Sequence, residues 1–186
     1  MVRPPTTIQV RAAPGATSGV LSVHGKTFAC ALGRGGLVGD KREGDGGTPC
    51  GRFLLREVLW RRDRGPAPVT GLVLSEIRPE DGWCDDPTDP QYNRRVRLPH
   101  VGRCEMLWRE DDVYDLLAVI GWNDDPPAAG KGSAIFLHVA REGVEGFEPT
   151  EGCVALRRDD LREVLAYLVE GAAIEIAVTP AASKPG

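Results

Sequence analysis

The sequence lacks any apolar run long enough to cross a membrane. Its longest apolar stretch, residues 116–122, contains Gly121 and falls far short of the roughly 18 residues that a transmembrane helix requires. Residues 1–7 also lack the apolar core of a secretory signal. We therefore expect a soluble protein. A processed precursor would look the same, so the sequence leaves the compartment open.

Excess basic charge and metal-binding motifs are also missing. Lys and Arg number 23 against 27 acidic residues, a net charge of −4, so nothing global attracts a nucleic acid. The sequence has no CxxC pair and no HExxH. Its histidines are few and widely scattered, at His24, His100 and His138. These absences predict no nucleic-acid partner and no metal ion.

Glycine and proline, in contrast, are abundant, with 23 and 15 of the 186 residues. A chain of this length fits one domain with a sizeable core, so we expect residues 1–186 to form a single domain. Four stretches are rich in turn-forming residues, namely residues 33–51, 61–71, 79–100 and 121–132. Structureless loops longer than about 12–15 residues are usually functional in a compact domain, so we expect these stretches to shape a cleft.

Between these stretches lie short apolar or β-branched runs that predict a mostly β fold. The predicted strands are residues 8–10, 20–23, 27–32, 53–59, 72–77, 114–120, 134–139 and 174–178. One helix is predicted over residues 160–170, near the C-terminus, because its apolar residues recur at helical spacing. Asp160 and Glu163 form a variant of the capping box, and Gly171 is well placed to end the helix.

The cysteines number five, so at least one thiol has no partner within the chain. Cys153 is a candidate nucleophile, with His138 as the base that lowers the pKa of its thiol. Gly152 allows close backbone approach, and amides around Cys153 can hold an oxyanion. From spacing alone, a buried core cysteine and a structural histidine explain the same residues, and both interpretations stay open at this point.

Several ordered motifs resemble the L,D-transpeptidase (YkuD-type) catalytic domain, a β-rich fold that remodels bacterial peptidoglycan. His138 and residues 150–153, TEGC, resemble the family's His and Ser/Thr-x-Gly-Cys signature. Upstream, residues 41–53 are similar to the family's glycine-rich stretch ending in Thr-Pro-x-Gly-x-Phe. Other segments resemble one branch of the family, namely residues 92–94, 121–124 and 131–138. The resemblance covers about residues 27–178 and implies a β-sandwich or barrel-like fold.

The motif departs from the family pattern at three positions. Glu151 stands where many relatives have a second histidine, and Ala155 stands where they have Arg or Asn. Val139 replaces the usual glycine after the histidine. These changes bear on substrate contacts and acceptor preference more than on the nucleophile.

The resemblance implies catalysis by Cys153, His138 and Gly152 on peptidoglycan stem peptides, with no metal or organic cofactor. The thiol forms a thioester with a tetrapeptide stem, D-alanine leaves, and an amine acceptor resolves the thioester to a 3-3 cross-link. Water as acceptor would make the same site an L,D-carboxypeptidase or a hydrolase that releases wall proteins. A non-catalytic wall-binding module is the alternative from another class.

Stem peptides carry carboxylates, so a cation such as Arg94 is expected to contact them, although loop arginines are commonly just solvated. The predicted substrate-binding set is completed by Thr150, Glu151, Asn123 and Tyr92. The substrate implies a periplasmic or wall-associated protein, and the oligomeric state stays open. The other cysteines are either two disulfides or four thiols: Cys30, Cys50, Cys84 and Cys104.

Overall fold

The computed structural model describes residues 4–144 and 146–180 of the chain. Within these residues the strands are β1 (Thr7–Ala12), β2 (Ser18–Val23), β3 (Lys26–Ala31), β4 (Leu37–Val38), β5 (Thr48–Pro49), β6 (Gly51–Trp60), β7 (Val73–Glu76), β8 (Asp81–Cys84), β9 (Arg95–Arg97), β10 (Cys104–Met106), β11 (Leu116–Ile120), β12 (Phe136–Val139), β13 (Glu142–Gly143), β14 (Gly146–Phe147), β15 (Val154–Leu156) and β16 (Ala173–Val178). One α-helix, α1 (Arg158–Leu165), and a short 3-10 helix, Arg62–Arg64, complete the described elements.

The main sheet closes on itself. Its strand order is β11-β12-β15-β3-β2-β1-β16-β6-β7, and β11 also pairs with β6. Eight strands therefore form a barrel-like ring, with β7 added outside β6. The expected mostly β fold with one helix is confirmed, with 41% of residues in strands and 6% in helix.

Alternating side chains fill the interior of this sheet. In β1, Ile8 and Val10 are fully buried while Gln9 between them is exposed, as a strand with one face in the core requires. β16 runs parallel to β1 and places Ile174 beside Ile8. The same core receives the apolar face of α1 through Leu161 and its neighbours.

The helix differs from the prediction at both ends. It begins at Arg158, two residues earlier than expected, and Asp160 is not its cap. Arg157 occupies the cap position without a side-chain hydrogen bond, because the chain passes from β15 almost directly into the helix. After Leu165 the chain tightens into i→i+3 bonds, including Leu168 N to Leu165 O, so Gly171 does not end α1.

The predicted loop over residues 79–100 is partly wrong, since it contains β8 and β9. These strands pair with β10 in a separate sheet of order β10-β8-β9. All four residues of β8 are buried, so its sequence DGWC has none of the alternation by which a half-buried strand is recognised. This small sheet forms one wall of the cleft described next.

No helix in the described part of the chain has the length and apolar character needed to cross a membrane.

Candidate active site

A cleft of about 550 Å³ opens beside the main sheet and contains both Cys153 and His138. It is bounded by the glycine-rich segment (residues 41–53), by the small sheet (β8, β9 and β10) and by the chain around β12 and β15. Residues on its walls include Lys41, Glu105, Tyr114 and Thr150. The expected cleft-forming role holds for two of the turn-rich stretches, which contribute residues 41, 43 and 44 and residue 85.

Two adjacent parallel strands bring the cysteine and the histidine together. β12 pairs with β15 so that His138 lies opposite Ala155, and Cys153 immediately precedes β15. Cys153 Sγ accepts a hydrogen bond from Phe136 N at 3.3 Å and donates one to Ala134 O at 3.3 Å. The thiol is therefore held by backbone groups of the β12 segment.

A backbone hydrogen bond fixes the tautomer of His138. Its Nδ1 lies 2.8 Å from Val139 O, and because a carbonyl oxygen can only accept, Nδ1 carries the proton. The lone pair of the neutral ring is then on Nε2. The Tyr114 ring and the imidazole pack edge to face at a centroid distance of 5.4 Å, which restricts rotation of the imidazole. His138 is thus held as a neutral imidazole whose Nε2 carries the lone pair.

Burial shifts the pKa values of Cys153 and His138 in the directions that disfavour a thiolate–imidazolium ion pair. The Cys153 thiol is 6% exposed, and desolvation raises its pKa to about 12. Desolvation also lowers the pKa of His138 to about 4, with a smaller contribution from the cations Arg109 and Arg141. From the sequence we expect histidine to lower the pKa of the thiol, whereas burial in the structure favours the neutral thiol and the neutral imidazole at pH 7.

The turn before Cys153 requires glycine. Gly152 has φ of +138°, and a Cβ there would lie 2.8 Å from Gly47 O. Thr150 holds the same turn: its Oγ1 donates to Cys153 O at 2.7 Å and accepts from Gly152 N at 3.1 Å. The threonine of the signature therefore shapes the backbone that presents the thiol.

A buried lysine lies directly behind this turn. Lys41 is 3% exposed, and its Nζ donates to Asp45 Oδ1 at 2.5 Å and to Arg42 O at 2.9 Å. Asp45 also accepts from the amides of Arg42 and Gly47. Although burial opposes it, these donors hold the pKa of Asp45 below its usual value. From the sequence, Lys41 is only the first residue of the glycine-rich stretch, and no role is predicted for it.

The family model for the L,D-transpeptidase catalytic domain (YkuD) matches residues 20–176. The chain belongs to this family. No curated protein matches the sequence.

Among solved structures, the chain is similar to L,D-transpeptidases at low identity. It shares 14% identity with L,D-transpeptidase 1 of Mycobacterium tuberculosis, covering 94% of this chain and 63% of that one, with a TM-score of 0.38. The L,D-transpeptidase of Mycobacterium smegmatis shares 15% identity over 92% of this chain and 59% of that one, with a TM-score of 0.41. The chain thus spans about three fifths of those chains.

In this L,D-transpeptidase domain, the predicted site residues fall into two groups. Cys153, His138, Thr150 and Glu151 line the cleft, and Gly152 lies in the turn that precedes Cys153. Glu151 is exposed and forms an ion pair with Arg34 at 2.8 Å. Its carboxylate is therefore at the rim of the cleft.

The second group lies outside the cleft lining. Tyr92 OH donates to Glu43 Oε2 at 2.5 Å and accepts from Gly132 N. It therefore helps to position Glu43, which lines the cleft. The Asn123 side chain forms hydrogen bonds with backbone groups of Ala128 and Gly132, and these bonds fix the loop between residues 123 and 132. Arg94 lines a different depression of about 420 Å³, shared with Arg56.

The cleft of the transpeptidase domain also has charged residues that sequence reasoning missed. Arg109 lies over the Tyr114 ring, and it shares Asp111 with Arg141 at 2.7 Å from each. Glu105 accepts from Tyr114 OH at 2.7 Å, and burial raises the pKa of its carboxyl. Single polar residues at strand ends and in loops have no periodic signal, so only the fold shows them together.

Proposed function

We propose that this protein is a cysteine L,D-transpeptidase acting on tetrapeptide stems of peptidoglycan. The observation that supports the proposal is the joint presence of the Cys153 thiol and the His138 base in one cleft, with the Nδ1 proton committed to Val139 O. Family membership suggests the substrate class. Because that substrate lies outside the cytoplasmic membrane, we also propose a periplasmic or wall-associated location.

The proposed first step forms a thioester. Cys153 Sγ attacks the carbonyl carbon between diaminopimelate and D-alanine while its proton moves to His138 Nε2. The Gly152 amide already donates to Thr150 Oγ1, so we assign the Cys153 N–H to the oxyanion. Collapse of the tetrahedral intermediate breaks the C–N bond, and His138 returns the proton to the departing amine of D-alanine.

The second step transfers the acyl group. An amine of a second stem attacks the thioester carbon, His138 Nε2 accepts the amine proton, and Cys153 leaves as the thiol after receiving it. The product is a 3-3 cross-link. Because thiol and imidazole are neutral before substrate binds, we expect proton transfer to accompany the attack on the carbonyl.

We propose that stem carboxylates meet the cations of the cleft. Arg109 and Arg141 stand beside His138, within reach of charges brought into the cleft. Glu151 at the rim is suited to an acceptor amine. For Tyr92 and Asn123 we propose an indirect role, through the cleft wall and the loop that they hold, while Arg94 is placed for a distal part of the substrate.

The test is to incubate the full chain with disaccharide-tetrapeptide stems and to read the products by mass spectrometry. A dimer lacking one D-alanine supports the transpeptidase. Tripeptide with free D-alanine and no dimer would assign the carboxypeptidase reaction instead, and binding without turnover would assign a wall-binding module.

Two variants separate the nucleophile from the other thiols. We expect Cys153→Ala to abolish turnover and Cys50→Ala, which removes a half-buried thiol outside the cleft lining, to retain it. A carbapenem should add its mass to the peptide that contains Cys153. Turnover by folded Cys153→Ala, or an adduct on another cysteine, would overturn the mechanism.

A further inference from the structure

Three metal-binding side chains come together away from the catalytic pair. The Sγ atoms of Cys84 and Cys104 and a ring nitrogen of His100 all lie within 4.8 Å of one another. Cys84 ends β8 and Cys104 begins β10, and the pairing of these strands places the two cysteines opposite each other. His100 comes from the connection between β9 and β10. The described chain holds all five cysteines as free thiols, so both sulfurs can act as ligands.

A carboxylate orients the histidine of this cluster. Asp89 Oδ2 lies 3.0 Å from His100 Nε2, and because a carboxylate accepts, Nε2 carries the proton and Nδ1 has the lone pair. Metal-binding histidines commonly donate their second nitrogen to a carboxylate in this way. Room for Asp89 depends on Gly102, where a Cβ would lie 2.5 Å from Asp89 Oδ2.

We propose that Cys84, Cys104 and His100 bind a zinc ion. Two thiolates and an imidazole are a preferred ligand set for Zn²⁺, and a tetrahedral site separates two sulfur ligands by about 3.8 Å. The observed spread of at most 4.8 Å therefore needs side-chain shifts of only about 1 Å. A disulfide between the two cysteines would leave the orientation of His100 by Asp89 without a purpose, whereas the ion uses it.

The proposed ion would tie the small sheet together at the catalytic cleft. It would join β8 to β10 and to the loop between β9 and β10, and Cys104 itself lines the cleft that contains Cys153. Three protein ligands leave one tetrahedral position for water or an anion. The zinc is thus expected to stabilise one wall of the cleft, and it has no part in the proposed acyl transfer.

The test uses the full chain, reduced with a phosphine and stripped of metal with a chelator. Titration with Co²⁺ should give one equivalent bound, with the near-ultraviolet charge-transfer absorption of a thiolate–cobalt bond, and Zn²⁺ should displace it. Cys84→Ser, Cys104→Ser and His100→Gln should each lower the affinity by more than tenfold, and Asp89→Asn by about tenfold. Cys50→Ser, the matched control, should bind as the wild type does.

Two results would overturn the site. One is the absence of a charge-transfer band from the reduced wild type; a Cys84–Cys104 disulfide in the untreated protein would then assign the pair to redox chemistry. The other is unchanged affinity in His100→Gln and Asp89→Asn, whose folding is checked by circular dichroism. Variants that lose cobalt binding should still form the carbapenem adduct on Cys153. Failure of the zinc proposal can therefore be distinguished from failure of the proposed function.

Discussion

The Cys153 thiol is held as a neutral group in the free protein. Its partners are backbone groups, and burial keeps its pKa near 12. Most activated cysteines rely on a nearby cation to form a thiolate. In the proposed mechanism, the neutral His138 accepts the proton only when the developing bond makes the thiol more acidic.

Alkylation of the free protein tests this resting state. With a pKa of about 12, about one Cys153 in 10⁵ is ionised at pH 7, so we expect iodoacetamide to react with it far more slowly than with the urea-unfolded chain. The rate should rise about tenfold per pH unit above pH 7, and His138→Gln should change it little. Faster reaction of folded Cys153 at pH 7 would reveal a preformed ion pair.

The buried His138 predicts a loss of stability in acid. Its folded-state pKa of about 4 lies below the ordinary 6.5, so between these values the unfolded chain binds more protons. The stability is complete above about pH 6.5 and falls as the pH drops toward 4. Urea unfolding at pH 7 and pH 4.5 should show wild type losing about 2 kcal/mol more than His138→Gln. Equal losses would contradict the buried neutral ring.

The residues of the site differ in how far the sequence reveals them. His138 and Cys153 could be named because the Thr-Glu-Gly-Cys motif marks them, although spacing alone fits two core residues equally well. Lys41 could not be found, since a lysine in a glycine-rich loop usually points to solvent. Its burial follows from packing against Gly152, which is 111 positions away in the chain.

At the scale of elements, the glycine-rich segment and the turn before Cys153 form one unit. Gly152 lies against Gly47 O, and Asp45 joins Lys41 to the amide of Gly47. The backbones approach so closely that side chains are excluded. The position of the thiol therefore depends on a segment about 100 residues earlier.

Gly152→Ala is expected to damage both stability and activity. The new Cβ would meet Gly47 O at 2.8 Å in a backbone conformation that alanine rarely adopts, a cost of about 2 kcal/mol or more. Urea unfolding and the stem-peptide assay measure the two effects. Gly39→Ala, at a glycine with open space and ordinary φ, should change neither. A Gly152→Ala enzyme with normal turnover would contradict the role of the turn.

Asp45→Ala is expected to destabilise the segment by about 3 kcal/mol, because the buried Lys41 loses its counter-ion. The exposed Asp40, which pairs with Arg42 and Lys131, provides the comparison, since Asp40→Ala should have a much smaller effect. Both values come from denaturant unfolding at pH 7. Equal effects of the two substitutions would show that Lys41 does not depend on Asp45.

Strand prediction succeeded where a run of residues either alternates or is continuously apolar. β1 alternates buried and exposed residues, and the fully buried β11 is an unbroken apolar run, so both were found. β8, with the sequence DGWC, has neither pattern and was missed. The start of α1 could not be predicted from a capping box, because β15 feeds the helix directly. The pairing of β12 with β15 is a long-range property with no local signal.

For the whole molecule, closure of the barrel depends on β1. The family match begins at residue 20, yet β1 lies between β2 and β16 inside the ring. Ile8 of this strand is fully buried in the main core. The first strand is thus as much a part of the fold as the strands that carry the motif.

Ile8→Ala should therefore lower the free energy of unfolding by about 2–5 kcal/mol, as expected for a buried isoleucine that leaves a cavity. The neighbouring Gln9→Ala, on the exposed face of the same strand, should cost less than about 0.5 kcal/mol. Guanidinium unfolding measures both. A small effect of Ile8→Ala would mean that the barrel holds without β1.

The separation of His138 and Cys153 is set by hydrogen-bonded strands, whereas the walls of the cleft come largely from loops and the small sheet. For the proposed reaction, chemistry and selectivity are therefore encoded largely in different parts of the chain. Exposed residues of the cleft wall, such as Glu148, can be exchanged to recruit other acyl donors while His138 and Cys153 keep their spacing. The proposed thioester chemistry would make the barrel a suitable starting point for directed evolution.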